Sequence, residues 1–164
     1  MITGVIGYKN GTLIVTLPCA LYDLSAHLGS IGIRIPASQI PADGTEEISV
    51  KLAADRPIGG VVLSRLTDGD TLSGVNLACQ EINRACPFGY DEFMDMLDPK
   101  ENPAMDRYHF YRQYETRPAS MAVGMKGLME EVQRYRSTME NYTRACKAAE
   151  DEEYEMPEDG DWER

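Results

Sequence analysis

This chain of 164 residues predicts an α+β fold: a small antiparallel sheet with an N-terminal β-hairpin, then a helical C-terminal half with a long heptad helix. Three observations predict it. Two strand-like runs, Ile2 to Tyr8 and Thr12 to Leu17, flank Lys9-Asn10-Gly11, and Asn-Gly tolerates positive φ at both centres of a tight turn. Helical patterns follow the strands instead of alternating with them, which disfavours a repeated βαβ sheet. Finally Met121, Met125, Leu128, Val132, Tyr135, Met139, Tyr142, Cys146 and Ala149 are spaced by alternating steps of four and three, a heptad seam.

Taken in order, Pro18 stops the second strand, and Leu21, Leu24, Ala26 and Leu28 indicate a short helix closed by Gly29 or Gly32. Residues 33–44 hold Pro36, Pro41 and Asp43-Gly44 and read as loop with a little strand. Ile48, Val50 and Leu52 alternate with Ser49, Lys51 and Ala53, the period of a strand with one wet face, and Pro57 ends it. The stretch from Gly59 to Leu66 admits a strand or a short helix, and its Val61-Val62-Leu63 run favours the strand. Asp70 or Thr71 can cap a helix that buries Leu72, Val75, Ala78, Cys79, Ile82 and Cys86 and stops at Pro87. Asp91 caps a second helix carrying Phe93, Met94 and Leu97, broken by Asp98-Pro99. A third, opened by Asn102-Pro103, would carry Tyr108, Phe110, Tyr111 and Tyr114 as far as Arg117-Pro118. The heptad helix from Met121 to Ala149 then spans roughly 40 Å at about 1.5 Å per residue. Lys126, Glu130, Glu131, Arg134, Arg136, Glu140, Arg144 and Lys147 fall between its seam positions and want water.

Three parts follow: an α+β domain over 1–100, a helical segment over 101–149, and an acidic tail over 150–164 whose composition predicts disorder when free. The formal net charge is −11, and the tail's nine acids against one base account for −8 of it. A second acidic concentration comprises Asp91, Glu92, Asp95, Asp98, Glu101 and Asp106, opposed by Lys100. Direct nucleic-acid binding by the whole surface is disfavoured, because polyanions need Lys and Arg to displace counterions. A protein partner with a basic, DNA-binding surface fits this charge better. Cys19, Cys79, Cys86 and Cys146 form no C-x-x-C pair and read as reduced thiols of a cytoplasmic protein. Without a basic segment followed by an apolar one at the N-terminus or an uncharged run approaching 18 apolar residues, secretion and membrane spanning are both disfavoured.

Catalytic and metal chemistry find little support. Asp68-Gly-Asp70-Thr-Leu72 begins like a calcium loop, but its fifth position is Leu72 and its twelfth Cys79, so a turn with a helix cap is the better reading. His27 and His109 lack partners at ligand spacing and read as partly buried polar residues, and Glu46-Glu47 and Asp91-Glu92 as solvated faces. The glycines spell no nucleotide-binding loop. Residues 108–117 interleave aromatics with Arg107, Arg112 and Arg117, a composition that can stack bases but equally describes a helix with its rings packed inward. No cofactor, no metal and no enzyme activity is expected.

Residues 12–32 (Thr-Leu-Ile-Val-Thr-Leu-Pro-Cys-Ala-Leu-Tyr-Asp-Leu-Ser-Ala-His-Leu-Gly-Ser-Ile-Gly), Ile48-Ser-Val-Lys-Leu52, Leu72-Ser-Gly-Val-Asn-Leu-Ala-Cys-Gln-Glu-Ile82 and Tyr90-Asp-Glu-Phe93 form a recognisable layout. A strand ending in Leu-Pro, a short helix, a strand, and a helix with an Asn-Leu-Ala core resemble, over about residues 1–98, the N-terminal part of ArdA-type antirestriction proteins. That resemblance implies a non-enzymatic protein of a mobile genetic element that blocks the DNA-binding surface of a restriction enzyme, its carboxylates imitating DNA phosphates. The chain departs from that pattern in its mildly acidic body and in everything from Met105 onward, and an anti-CRISPR inhibitor on a related scaffold accounts for the mixture equally.

The sequence therefore predicts an acidic inhibitor of a bacterial DNA-targeting defence enzyme. Its contact charge comprises the six acids at 91–106 with Glu150, Asp151, Glu152, Glu153, Glu155, Glu158, Asp159 and Asp161, with Trp162 and Tyr154 as anchors. The alternative is a homo-oligomeric scaffold or assembly protein whose heptad helix pairs with another copy. Intrachain packing of the same seam is equally compatible with the spacing.

Overall fold

A computed structural model describes residues 1–97 and 124–154 of the chain. β1 (Ile2–Tyr8) and β2 (Gly11–Leu17) form the expected hairpin. β3 (Ile48–Ala54) pairs with the other side of β1, giving the order β2-β1-β3 with both pairs antiparallel. The turn is displaced by one residue from the expectation. Tyr8 pairs with Gly11, so Lys9 and Asn10 are its centres, and only Lys9 has positive φ, at 52°. Gly11 belongs to the strand instead, where its missing Cβ leaves room for Ile31.

Ile2, Ile6, Val15, Leu17, Ile48 and Val50 point to one side of the sheet and are buried there. Thr12, Ile14, Thr16, Ser49 and Lys51 face the other side and are exposed. α1 (Leu21–Ser30) follows a cis Leu17-Pro18 peptide and buries Leu24 and Leu28, one helical turn apart. Gly32, at φ 91°, turns the chain out of it. The loop beyond holds a 3-10 turn over Ala37–Gln39 and a single bridge between Pro41 and Thr71.

The run after β3 is not a strand. Pro57 to Ser64 form α2, with Pro57 in its first turn. Ile58 and Val62, four residues apart, are its buried pair, so the β-branched run carries a helical and not an alternating pattern. Gly59 permits this packing, since a Cβ there would run into the Met1 carbonyl oxygen.

α3 (Leu72–Ala85) is capped by Thr71, whose hydroxyl accepts the Gly74 N–H at 3.1 Å. All of its predicted inner residues are buried, and Cys86 just beyond it is as well. Asn76 is buried with them: its amide accepts the Cys19 N–H and donates to the Cys19 carbonyl, both at 2.9 Å. Gln80 donates to the same carbonyl at 2.7 Å. The Leu-Pro-Cys and Asn-Leu-Ala segments are thus joined in space, each satisfying the other's polar groups.

α4 (Asp91–Leu97) buries Phe93, Met96 and Leu97. Asp91 is its first helical residue and not the cap; Tyr90 stands before it and accepts the Met94 N–H at 2.9 Å. α5 (Gly124–Tyr154) packs most extensively on α3 and continues five residues past the expected end, so 150–154 are helical and not a tail. Its start is fixed from elsewhere in the chain. Asp70 accepts the Met125 N–H at 3.0 Å with one oxygen and the Thr67 N–H at 2.7 Å with the other, and Gly124 donates to the Arg65 carbonyl at 2.8 Å. The expected helix over 102–117, His109 and Met121 lie outside the described residues.

Candidate protein-binding site

The seam of α5 divides. Met125, Leu128, Val132 and Tyr135 are buried, Met139 is half-buried, Tyr142 is 40% exposed, and Cys146 and Ala149 are exposed. The inner part rests on α3 and α4, where the Tyr135 ring meets Phe93 edge-on with centroids 5.2 Å apart. From Glu140 to Asp151 every residue is exposed.

One flank residue breaks the expected wet face. Glu131 is buried and forms an ion pair with Arg65, which is completely inaccessible. The helix buries a broader face than the seam alone, because α2 ends in Arg65 directly beside the start of α5. Among the described residues Arg65 Nε and Nη2 have no hydrogen-bond partner. Removing these charges from water costs about as much as their attraction returns, so the pair fixes where α5 docks more than it adds stability.

Of the proposed contact acids, Asp91, Glu92 and Asp95 lie on the exposed side of α4, and Glu150 and Asp151 on the exposed end of α5. Glu152, Glu153 and Tyr154 continue that helix. Asp98, Glu101, Asp106, Glu155, Glu158, Asp159, Asp161 and Trp162 lie outside the described residues. Asp91 and Glu92 border a cleft of about 760 Å³ between the α3–α4 turn and α5. Its walls also carry Glu140 and three arginines, Arg84, Arg136 and Arg144. Arg84 pairs with Glu81 at 2.6 Å, and Arg136 with Glu140 at 3.7 Å, both as surface pairs. Asp91 and Glu92 therefore face a surface of mixed sign and not a uniform negative face. The sequence reading placed Arg136, Arg144 and Glu131 on the wet side of the heptad helix and did not single out Arg84, Arg65 or the fully exposed Phe88 at the cleft. Only Phe88, a large ring between Pro87 and Gly89, left a local signal there.

Burial, then the nearby Glu92, pushes the Cys86 thiol up to about 11, and burial pushes Cys79 up to about 12, so neither supplies a thiolate near neutral pH. His27 is exposed, not partly buried as expected, with Nδ1 2.8 Å from the Asp23 carbonyl oxygen. Asp70 is engaged with backbone amides, and the described residues contain no group of three or more His, Cys, Asp or Glu that could hold a metal ion. No helix among them is long and apolar enough to cross a membrane. Compared with known proteins, the chain matches no family model, no curated protein and no solved structure.

Proposed function

We propose that this chain is an acidic, non-enzymatic inhibitor of a bacterial DNA-targeting defence enzyme, a restriction enzyme or a CRISPR nuclease, and that it occupies the enzyme's DNA-binding surface. The observation in favour is the outer part of α5, whose exposed residues 140–151 carry the helix into the acidic run that begins at Glu150. Those residues alone form a rod of about 18 Å at about 1.5 Å per residue. Continued by the acidic run from Glu150, such a rod suits a groove lined with Lys and Arg, where the carboxylates of that run replace the phosphates of DNA. The mixed charge of the cleft shifts the proposed contact away from Asp91 and Glu92 and toward Glu150, Asp151 and the acids that follow.

A homo-oligomeric scaffold is the second reading, favoured by the continuation of the seam through Met139, Tyr142 and Cys146 where the helix becomes exposed.

Truncation after Ala149 separates the two. It removes −8 of charge and leaves every buried seam residue in place. In a DNA-cleavage assay against a panel of restriction and CRISPR nucleases, the full chain inhibits at least one and the truncated chain, still folded, loses most of that potency. Raising salt weakens the inhibition by the full chain, since the Debye length falls from about 10 Å at about 0.1 M to about 3 Å at about 1 M. Full potency after truncation would move the contact to the body of the protein, and no inhibition by either chain would favour the scaffold.

A further inference from the structure

The two edges of the sheet are finished differently. Asp55 donates its N–H to the Met1 carbonyl at 3.0 Å, one step beyond the Ile2↔Ala54 pair. Odd-numbered residues of β1 therefore exchange hydrogen bonds with β3 and even-numbered ones with β2. In the β1–β2 register this engages Gly11, Leu13, Val15 and Leu17, leaving the N–H and C=O of Thr12, Ile14 and Thr16 pointing out of the sheet. No group among the described residues bonds to them.

At the β3 edge the first outward residue is already covered. Thr45 donates its N–H to the Ile48 carbonyl at 2.7 Å, and Ile48 donates to the Thr45 hydroxyl at 3.0 Å. β2 has no such cover. Neither does it contain a charge or an internal proline, the usual devices that keep an edge strand from pairing. Its exposed side chains read Thr, Ile, Thr, symmetrical about Ile14, which is 68% exposed beside Val5.

We propose that β2 is the docking edge for a second copy of this chain. The two copies pair β2 to β2, antiparallel about a two-fold axis at Ile14, and the two three-stranded sheets become one. In that register Ile14 faces Ile14 of the other copy and Thr12 faces Thr16, and each such pair exchanges two backbone hydrogen bonds. A second copy fits better than a foreign strand because the edge is self-complementary in both shape and charge. The nearest charges in sequence are Lys9 before the strand and Asp23 after it, and antiparallel pairing brings the Lys9 end of each copy to the Asp23 end of the other. This pairing goes beyond the inhibitor reading and does not depend on it; it would give the dimer two α5 arms.

Sedimentation of the full chain, of Ile14→Lys, of Ile14→Glu and of their equimolar mixture tests the pairing, with circular dichroism confirming each fold. The wild-type chain sediments as a dimer. Either variant alone sediments as a monomer at the same concentration, because like charges meet at the axis. The mixture recovers the dimer, associating at least tenfold more tightly than either variant alone. Should either variant fail to fold, Thr12→Lys/Thr16→Lys and Thr12→Lys/Thr16→Glu put the same question at exposed positions: the first loses the dimer and the second keeps it. A wild-type monomer at every concentration overturns the proposal, even if β2 binds an added extended peptide. A dimer that tolerates Ile14→Lys and Ile14→Glu alike also overturns it.

Discussion

From Met125 to Tyr135 the seam of α5 is sealed against the body, whereas from Glu140 to Asp151 every residue of the same helix is exposed. Both stretches keep the spacing of four and three. Spacing determines which residues share a face and says nothing about what that face meets. The side chains differ, however: Met125, Leu128, Val132 and Tyr135 give way to Tyr142, Cys146 and Ala149, with progressively less apolar area to bury. The inner stretch is also tied to the rest of the chain by Asp70 at its first turn and by Arg65 at Glu131.

If the inner stretch belongs to the core, charge placed there is ruinous, and the same charge placed farther along is not. Leu128→Asp/Val132→Asp loses about 1.5 to 3 kcal/mol of burial at each site and adds two carboxylates to an apolar interior, so the double variant unfolds or melts far lower. Cys146→Asp, on the same seam, shifts stability by no more than about 0.5 kcal/mol. Thermal melts that treat both changes alike would dissolve the distinction.

The buried pair offers a sharper test. Glu131→Gln leaves Arg65 charged in a fully buried site, and urea denaturation should register a loss of about 3 to 5 kcal/mol. Arg65→Met/Glu131→Leu should regain much of it, because the desolvation cost disappears with both charges. A double variant as unstable as the single one would mean that the pair stabilises the fold directly.

Smaller still is the alkaline response of the body against which the inner stretch packs. Cys79 in α3 is pushed up to about 12 by burial, so between the unfolded thiol's pKa, about 8.5, and that value the unfolded chain holds fewer protons than the folded one. Its contribution is complete below that window and falls as pH rises through it, by up to about 1.4 kcal/mol per pH unit. Cys79→Ala should lower stability at neutral pH but flatten the decline between about pH 8.5 and 10.5. Parallel declines in the two chains would show that the thiol does not ionise on unfolding.

Much of this was legible from local pattern. The hairpin, the alternation in β3, the Thr71 cap and the Pro87 stop are all statements about neighbouring residues, and all appear in the structure. α2 was obscured because Gly59-Gly60 and the β-branched Val61-Val62 lower helix propensity, while the packing of Ile58 and Val62 overrides it. The Arg65–Glu131 pair joins residues 66 positions apart, and the cleft brings Asp91 beside Arg136 from another element far along the chain, so no local pattern could reveal either. The acids of the candidate site were visible in composition; the arginines opposite them became neighbours only on folding.

Amide hydrogen exchange along α5, read residue by residue in the full chain, tests the division of this helix most directly. Amides from Leu128 to Tyr135 should exchange only through global unfolding, with protection equal to that of α3, while those from Tyr142 to Tyr154 exchange through local fraying, orders of magnitude faster. Uniform protection along the whole helix would contradict the account, because the outer stretch would then be held as firmly as the core.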